Sequence, residues 1–221
     1  MWTGRDHKFG GLKHRYTKRP RADSRSFDPL RLEHVSFPTE LKYENWLLHW
    51  ADPGITKLVC ISERLRCLDH GRSVSIVPDL VVVRGDVQLQ CVVLLMDATA
   101  VHTGKSLELV AQAYGCSWAL RTRDQIRANP LLLENLERLR QSAMVCVDEP
   151  LDALRSEIET VLPDNAPLSI RDLRQALNFP ETDSRFDAAL IHMHWTGHVH
   201  INLEEFRYDD ATVSRNTPRT R

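Results

Sequence analysis

The sequence predicts an α/β protein in which a mixed sheet flanked by helices is followed by a small, mainly helical domain. Three observations indicate this fold class. Two apolar runs, residues 80–83 and 87–95, lie on either side of a turn at Gly85, as in a hairpin within a sheet. Residues 39–50 and 105–114 flank that hairpin and space their apolar side chains as helices do. Beyond residue 150, three short helical patterns precede a single strand-like segment.

The elements of the first part follow from the positions of helix-breaking and turn residues. The helix at residues 39–50 ends at Asp52-Pro53-Gly54, which cannot continue it. Residues 91–96 have no polar face, and this predicts a central strand buried on both sides. The other predicted elements are short strands within residues 55–67 and 73–76, a helix at 105–114 ended by Gly115, a strand at 117–121 and a helix at 131–140.

The second part begins where the helical pattern breaks, at Glu149-Pro150. Ser169 is suited to cap the second of its three helices. The predicted elements are helices at residues 151–161, 171–177 and 184–194 and a strand at 198–203. This order is typical of a winged helix-turn-helix domain, and we expect Arg171 and Arg174, on its second helix, to contact nucleic acid.

The chain therefore divides into four predicted parts: a basic arm at residues 1–36, a sheet domain at 37–148, a winged-helix domain at 149–208 and a basic tail at 209–221.

Charge is distributed unevenly along the chain. The whole sequence of 221 residues has 29 basic and 30 acidic side chains, so its bulk composition is not that of a nucleic-acid-binding protein. Residues 5–25, however, carry eight Lys or Arg against two Asp. An arm of this kind is usually a flexible, solvated tail, and where it has a specific role it lies along phosphates or an acidic partner, which is the role we favour here. The side chains that we expect to contact nucleic acid are Lys8, Lys13, Arg15, Lys18, Arg19 and Arg21.

Cysteine spacing and hydropathy limit the cellular setting. The five cysteines show no C-x-x-C spacing, which favours a reducing compartment over a disulfide scaffold or a zinc ribbon. No segment reaches the roughly 18 apolar residues of a membrane span, and the charged amino terminus has no apolar stretch typical of a signal peptide. We therefore expect a cytoplasmic protein that makes no membrane contact.

The hairpin has the outline of a metal-dependent nuclease centre. Such a centre uses an acid on a helix, an Asp at a strand start, and an acid or amide two residues before a Lys on the next strand, because alternate strand residues share a face. Pro78-Asp79 fits the strand start, but residues 92–95 read Val-Val-Leu-Leu where the second pair belongs. Asp79 alone would hold Mg²⁺ weakly. Gln90 supplies a neutral ligand only if the register of the strands shifts.

Several short motifs, taken in order, carry a resemblance to a known family. The motifs are residues 39–42, 46–48 and 52–53, the V-P-D-L-V-V of 77–82, 108–115, 122–126, 129–136, and 188–199 near the end. Over residues 37–206 the chain is similar to TnsA-like subunits of heteromeric DNA transposases.

That resemblance implies a fold, a setting and a set of partners. The fold is a restriction-endonuclease-like domain followed by a winged-helix domain. The partners are a TnsB-like DDE transposase, a TnsC-like AAA+ ATPase, and the transposon-end and flanking DNA, in the nucleoid of a prokaryotic cytoplasm. The family enzyme nicks the 5′ ends of the element with Mg²⁺, while the transposase cuts and joins the 3′ ends.

Carried over residue by residue, the resemblance predicts a subunit without nuclease activity. Lys42 stands at the family's glutamate position and reverses its charge, and Asp79 matches the family aspartate. The acid or glutamine and the lysine of the next strand are missing from residues 92–95. Glu40 and Glu44 flank Lys42, but two residues along a helix turn the side chain by about 200°, which points either glutamate away.

Two other functions remain open at this stage. One is an active Mg²⁺-dependent endonuclease with a rearranged site around Asp79 and Gln90. The other is a winged-helix DNA-binding regulator, which leaves residues 37–140 without a role.

A cluster of histidines near the end of the chain could in principle bind zinc. The four residues are His192, His194, His198 and His200. The first two are predicted on different faces of a helix and the last two on one face of a strand, so no three converge. We expect these side chains to face solvent or DNA and leave their role open.

Overall fold

The computed structural model describes residues 24–60, 63–164 and 166–216. Within these residues the fold is mixed α/β, with seven α-helices, one short 3-10 helix and eleven strands in four sheets. The strands are β1 (Ser24–Asp28), β2 (Glu33–Phe37), β3 (Lys57–Val59), β4 (Leu65–Asp69), β5 (Arg72–Ile76), β6 (Leu80–Arg84), β7 (Asp86–Val93), β8 (Ser117–Thr122), β9 (Leu168–Ser169), β10 (Val199–Ile201) and β11 (Thr212–Arg215). The α-helices are α1 (Glu40–Trp50), α2 (Ala98–Tyr114), α3 (Arg123–Ile126), α4 (Pro130–Val145), α5 (Asp152–Val161), α6 (Ile170–Ala176) and α7 (Ser184–Trp195).

The chain forms two compact units, and each combines segments that are separate in sequence. The first unit includes Ser36–Trp46 and Gly54–Ile126, and the second includes Ser26–Val35, Leu47–Pro53 and the described chain after residue 126. These divisions differ from the predicted bounds at residues 37 and 149. Part of the predicted arm forms strands β1 and β2, and α4 belongs to the second unit because it packs along α7.

A four-stranded sheet, in the order β3-β6-β7-β8, forms the centre of the first unit. β6 and β7 are an antiparallel hairpin in which Leu80 lies opposite Gln90, and β7 pairs in parallel with β8. Gly85 turns the hairpin at a φ of 73°, a left-handed conformation that suits glycine. The core of the unit packs Leu89 of the sheet with Leu107 and Val110 of α2, all fully buried.

The predicted strand over residues 91–96 is too long. β7 ends at Val93, and the three residues that follow are largely exposed: Leu94 63%, Leu95 71% and Met96 61%. The chain leaves the sheet here because Asp97 starts α2, its carboxylate accepting a hydrogen bond from the Ala100 amide at 2.8 Å. An apolar run at the end of a sheet therefore faces outward.

The second unit contains the small sheet β10-β11-β9 and helices α4 to α7. Ser169 caps α6 as expected, and Asp183 caps α7. Seven residues of α7 are buried, among them Phe186, Asp187 and Leu190, because α4 and α5 pack against it.

A buried carboxylate joins the elements of this second unit. Asp187 is 4% exposed and accepts hydrogen bonds from the Tyr208 hydroxyl at 2.7 Å and from Ser142 at 3.3 Å. Arg174 forms an ion pair with the same carboxylate and also donates to the Pro180 carbonyl at 2.8 Å. Burial of these groups is tolerated because each finds polar partners.

Among the described helices, none has the length and hydropathy needed to cross a bilayer.

Candidate functional site

Asp79 stands immediately before β6, and both its backbone and its side chain are held by β7. Its amide donates to the Gln90 carbonyl at 2.8 Å, and its Oδ2 accepts from the Val92 amide at 2.7 Å. One carboxylate oxygen is thus fixed by the neighbouring strand. Asp79, which the sequence predicted to stand at the start of a strand, is therefore held through its backbone and its side chain by main-chain groups of β7.

The other carboxylate oxygen of Asp79 binds a lysine. The Nζ atom of Lys42 lies 2.6 Å from Oδ1 of Asp79, with the two side chains 29% and 15% exposed. Lys42 lies in the first turn of α1, where its amide donates to the Thr39 hydroxyl at 3.4 Å. Lys42 therefore brings a positive charge to a carboxylate that would otherwise attract a cation.

Gln90 belongs to a polar cluster that adjoins this ion pair. It is 1% exposed, its Oε1 accepts from Asn45 at 3.0 Å, and its Nε2 donates to Gln88 at 2.7 Å. Asn45 follows Lys42 by three residues and so shares a face of α1 with it. Both ends of the Gln90 amide are thus engaged within the protein, which leaves it poorly suited to serve as a metal ligand.

Asn45 and Arg121 complete the cluster, and sequence reasoning missed both. The Arg121 Nε donates to the Asn45 Oδ1 at 3.2 Å from the end of β8, and partial burial lowers the pKa of Arg121 below its usual value. The sequence signal that could have indicated this cluster is Asn45, a polar residue among the apolar residues of α1 and one turn after Lys42.

The residues around Asp79 do not fit a divalent metal ion. Mg²⁺ needs several oxygen ligands in near-octahedral geometry, including free carboxylates. Here one carboxylate oxygen faces an ammonium and the other an amide. Within residues 24–60, 63–164 and 166–216, no three His, Cys, Asp or Glu side chains converge on a common point.

Cys91, opposite Asp79 on the neighbouring strand, is not a nucleophile. Burial raises the pKa of its thiol to about 12, and the negative charge of Asp79 adds to the shift. A thiol with this pKa remains protonated at neutral pH, and only the thiolate attacks.

A cavity of about 670 Å³ opens beside Asp79 in the first unit. Its walls are formed by the end of β5, the end of β7 and the first turns of α2. Ile76, Val77, Val93, Leu94 and Leu95 give it a largely apolar surface. Residues 92–95, where the sequence analysis sought an acid and a lysine, thus line this cavity.

Among the described residues, the four histidines do not converge on one metal site. Arg155 lies 2.9 Å from Nδ1 of His192, and the Thr196 hydroxyl lies 2.8 Å from Nδ1 of His198. His194 and His200 have ring centroids 5.8 Å apart, and the backbone of β10 contacts Nδ1 of His194. Burial lowers the pKa of His194 to about 4, with His200 adding to the shift.

The residues expected to bind nucleic acid divide into three groups. Arg171 lies on the surface and pairs with Asp210 at 3.0 Å. Arg174 is 5% exposed and bound to Asp187, so its guanidinium belongs to the core of the second unit and cannot reach a phosphate. The side chains of the predicted arm lie outside the described residues: Lys8, Lys13, Arg15, Lys18, Arg19 and Arg21.

Neither the models of known protein families nor the curated proteins include a match to this chain.

Proposed function

We propose that this chain is a TnsA-like subunit of a DNA transposition complex and that it has no nuclease activity of its own. In this role it contacts a TnsB-like DDE transposase, a TnsC-like AAA+ ATPase and transposon-end DNA, in the nucleoid of a prokaryotic cytoplasm. The observation that carries the inactive assignment is the ion pair between Lys42 and Asp79. An ammonium placed at that carboxylate repels a divalent cation and leaves no metal to activate water.

The topology supports the two folds on which the proposal depends. In the first unit, Asp79 opens a β6-β7 hairpin whose second strand continues into a parallel pairing with β8, beside helices α1 and α2. This arrangement is compatible with a restriction-endonuclease-like domain. In the second unit, α5, β9, α6, α7, β10 and β11 follow in the order of a winged helix, with β11 between its partners in the sheet.

The two alternative functions have less support. An active nuclease that used Gln90 would have to break its contacts with Asn45 and Gln88 and displace Lys42 from Asp79. A winged-helix regulator would insert a helix into the major groove. The helix expected to contact nucleic acid, α6, has Arg171 paired with Asp210 and Arg174 buried against Asp187, and the segment between β10 and β11 carries four acidic side chains and one arginine.

An end-cleavage assay tests the proposal. The full chain is combined with a TnsB-like DDE transposase, a labelled transposon-end duplex that this transposase recognises, and Mg²⁺ or Mn²⁺. We expect cleavage of the 3′ ends only, and the same pattern with Asp79→Ala. A 5′ nick that Asp79→Ala abolishes would show an active enzyme.

A second experiment asks whether metal binding returns when an acid and a lysine are put back beside Asp79. Lys42→Glu together with Leu94→Lys returns an acid and a lysine to the hairpin region, and we expect the double variant to bind Mn²⁺ in calorimetry. Lys42→Gln with Leu94→Lys is the matched control, since it removes the ammonium without adding a carboxylate. Under the rearranged-nuclease alternative, this restoration should change metal binding and cleavage little.

A further inference from the structure

The apolar residues around the end of β7 are not used to fill the core. Val77, Leu94 and Leu95 line the cavity beside Asp79 and are 40%, 63% and 71% exposed. Met96 and Val101, next to lining residues in the chain, are 61% and 51% exposed. Loss of a metal site allows polar residues to be replaced by buried apolar ones, but stability gains nothing from leucines in water. Exposed apolar side chains that are gathered in one place indicate a binding surface.

The two carboxylates that line this cavity have partners within the protein, whereas the arginine that lines it, Arg64, has no acidic partner in the described chain. Asp79 is paired with Lys42, and Asp97 is occupied in capping α2. Arg64 is exposed, donates to the Ser75 hydroxyl at 3.5 Å, and makes no ion pair with any carboxylate of the described chain. The cavity therefore combines an apolar floor with a cation available to an incoming acid.

We propose that this cavity, the Leu94–Leu95 groove, binds a peptide segment of a partner protein in which apolar side chains adjoin a carboxylate. The apolar side chains cover Val77, Leu94 and Leu95, and the carboxylate pairs with Arg64. Its volume of about 670 Å³ lies within the range of about 300–1,000 Å³ typical of ligand sites. The existence of the groove does not depend on the proposed function, and only the identification of its partner as the transposase or the ATPase rests on that function.

Charge complementarity favours such a partner over two other occupants. The chain's own residues 5–25 carry eight basic side chains and two acidic ones, so they have the same sign as Arg64. Nucleic acid is held chiefly by cations along its phosphates, and exposed leucines do not supply them. A second copy of the chain is the remaining occupant, and it is separated by experiment.

The groove is tested with a displayed library of random peptides selected on the full chain. We expect enriched peptides to carry Asp or Glu beside Leu, Ile or Phe. Their affinity should fall at least about 30-fold with Leu94→Ser/Leu95→Ser, because two large apolar contacts are lost. Leu68→Ser is the matched control, since Leu68 is 78% exposed on β4 of the same unit and away from the groove, and it should leave affinity unchanged.

A charge reversal tests the carboxylate separately. Arg64→Glu should weaken the enriched peptides by about 10-fold and should favour peptides with Lys or Arg. Arg66→Glu, an exposed arginine on β4, is the control and should have no effect. Circular dichroism and the unfolding midpoint verify that each variant is folded.

Three results would overturn the proposal. They are the absence of enriched peptides, enrichment of peptides that bind the Leu94→Ser/Leu95→Ser variant equally well, and enrichment of basic peptides on the unaltered chain. Self-association in sedimentation that this double variant abolishes would assign the groove to a second copy instead. If peptides with apolar and acidic residues bind but none resembles a segment of the transposase or the ATPase, the groove is a peptide-binding site and the proposed partner is wrong.

Discussion

Lys42 and Asn45 present their polar groups from one face of α1 to two neighbouring points on the hairpin. The ammonium of Lys42 contacts Asp79 at 2.6 Å, and the amide of Asn45 contacts Gln90 at 3.0 Å. One face of this helix thus supplies a cation to a carboxylate and an amide donor to a buried glutamine.

Removing Lys42 should destabilise the protein. Lys42→Met leaves the largely buried carboxylate of Asp79 with only the Val92 amide, and we expect a loss of about 1–3 kcal/mol in the free energy of unfolding. Asp79→Asn combined with Lys42→Met should cost less than the sum of the single changes. Urea unfolding of all four proteins measures the coupling. Lys57→Met, at an exposed lysine of β3, should change stability by less than about 0.5 kcal/mol.

The hydrogen bond between Asn45 and Gln90 should stabilise the fold because its acceptor is buried. Asn45→Ala leaves the Oε1 of a fully buried Gln90 without this donor, which should cost about 1–3 kcal/mol. Chemical unfolding provides the measurement, and Gln112→Ala on the exposed side of α2 is the control. Equal stabilities of Asn45→Ala and Gln112→Ala would contradict the importance of the cluster.

Removing the buried carboxylate of the second unit should lower the free energy of unfolding more than either change in the first unit. Asp187→Ala leaves Arg174 as an unpaired buried charge, and we expect a loss of about 3–5 kcal/mol. Adding Arg174→Met should return part of that stability, because the unpaired charge is removed. Asp209→Ala, at a half-exposed partner of Arg138, should cost less than about 1 kcal/mol. Thermal and urea unfolding of the unaltered protein and the three variants distinguish these outcomes.

His194 should make stability fall in mild acid. Burial lowers its pKa from 6.5 to about 4, so the folded protein keeps the ring neutral while the unfolded chain binds a proton below pH 6.5. The stabilising contribution is present above pH 6.5 and is lost as the pH falls towards about 4. Between pH 7 and pH 5 we expect the free energy of unfolding to drop by about 2 kcal/mol.

A comparison of variants assigns that drop to His194. His194→Gln should flatten the profile over this range, and His102→Gln, at an exposed histidine of α2, should leave it unchanged. His200, whose ring lies 5.8 Å from that of His194, contributes to the lowered pKa of His194, so His200→Gln should flatten the profile less than His194→Gln does. A flat profile in the unaltered protein would contradict the prediction.

The parts of the fold that depend on local chemistry were predictable. The hairpin turn at Gly85, the cap at Ser169 and the helix end at Gly115 each require a particular residue type, and the structure places all three as expected. The position of Asp79 at the start of a strand followed from the same reasoning. These features are determined by residues within a few positions of one another.

Features set by distant contacts were not predictable. An apolar run has the same sequence pattern whether it lies inside a sheet or beyond its edge, so the exposure of Leu94 and Leu95 could not be inferred. Arg174 resembled a surface residue because its partner Asp187 is 13 residues away. The contact between Lys42 and Asp79 links positions that only the folded chain brings together.

The alternation of segments between the two units constrains how the gene can be divided. Residues 26–35 and 47–53 belong with the carboxyl-terminal half, while residues 36–46 belong with the sheet. No single cut in the polypeptide yields both halves whole, and a fragment starting at residue 149 lacks α4 as well. Exchange of one half by a single crossover would therefore leave both products with segments of each unit taken from different parents.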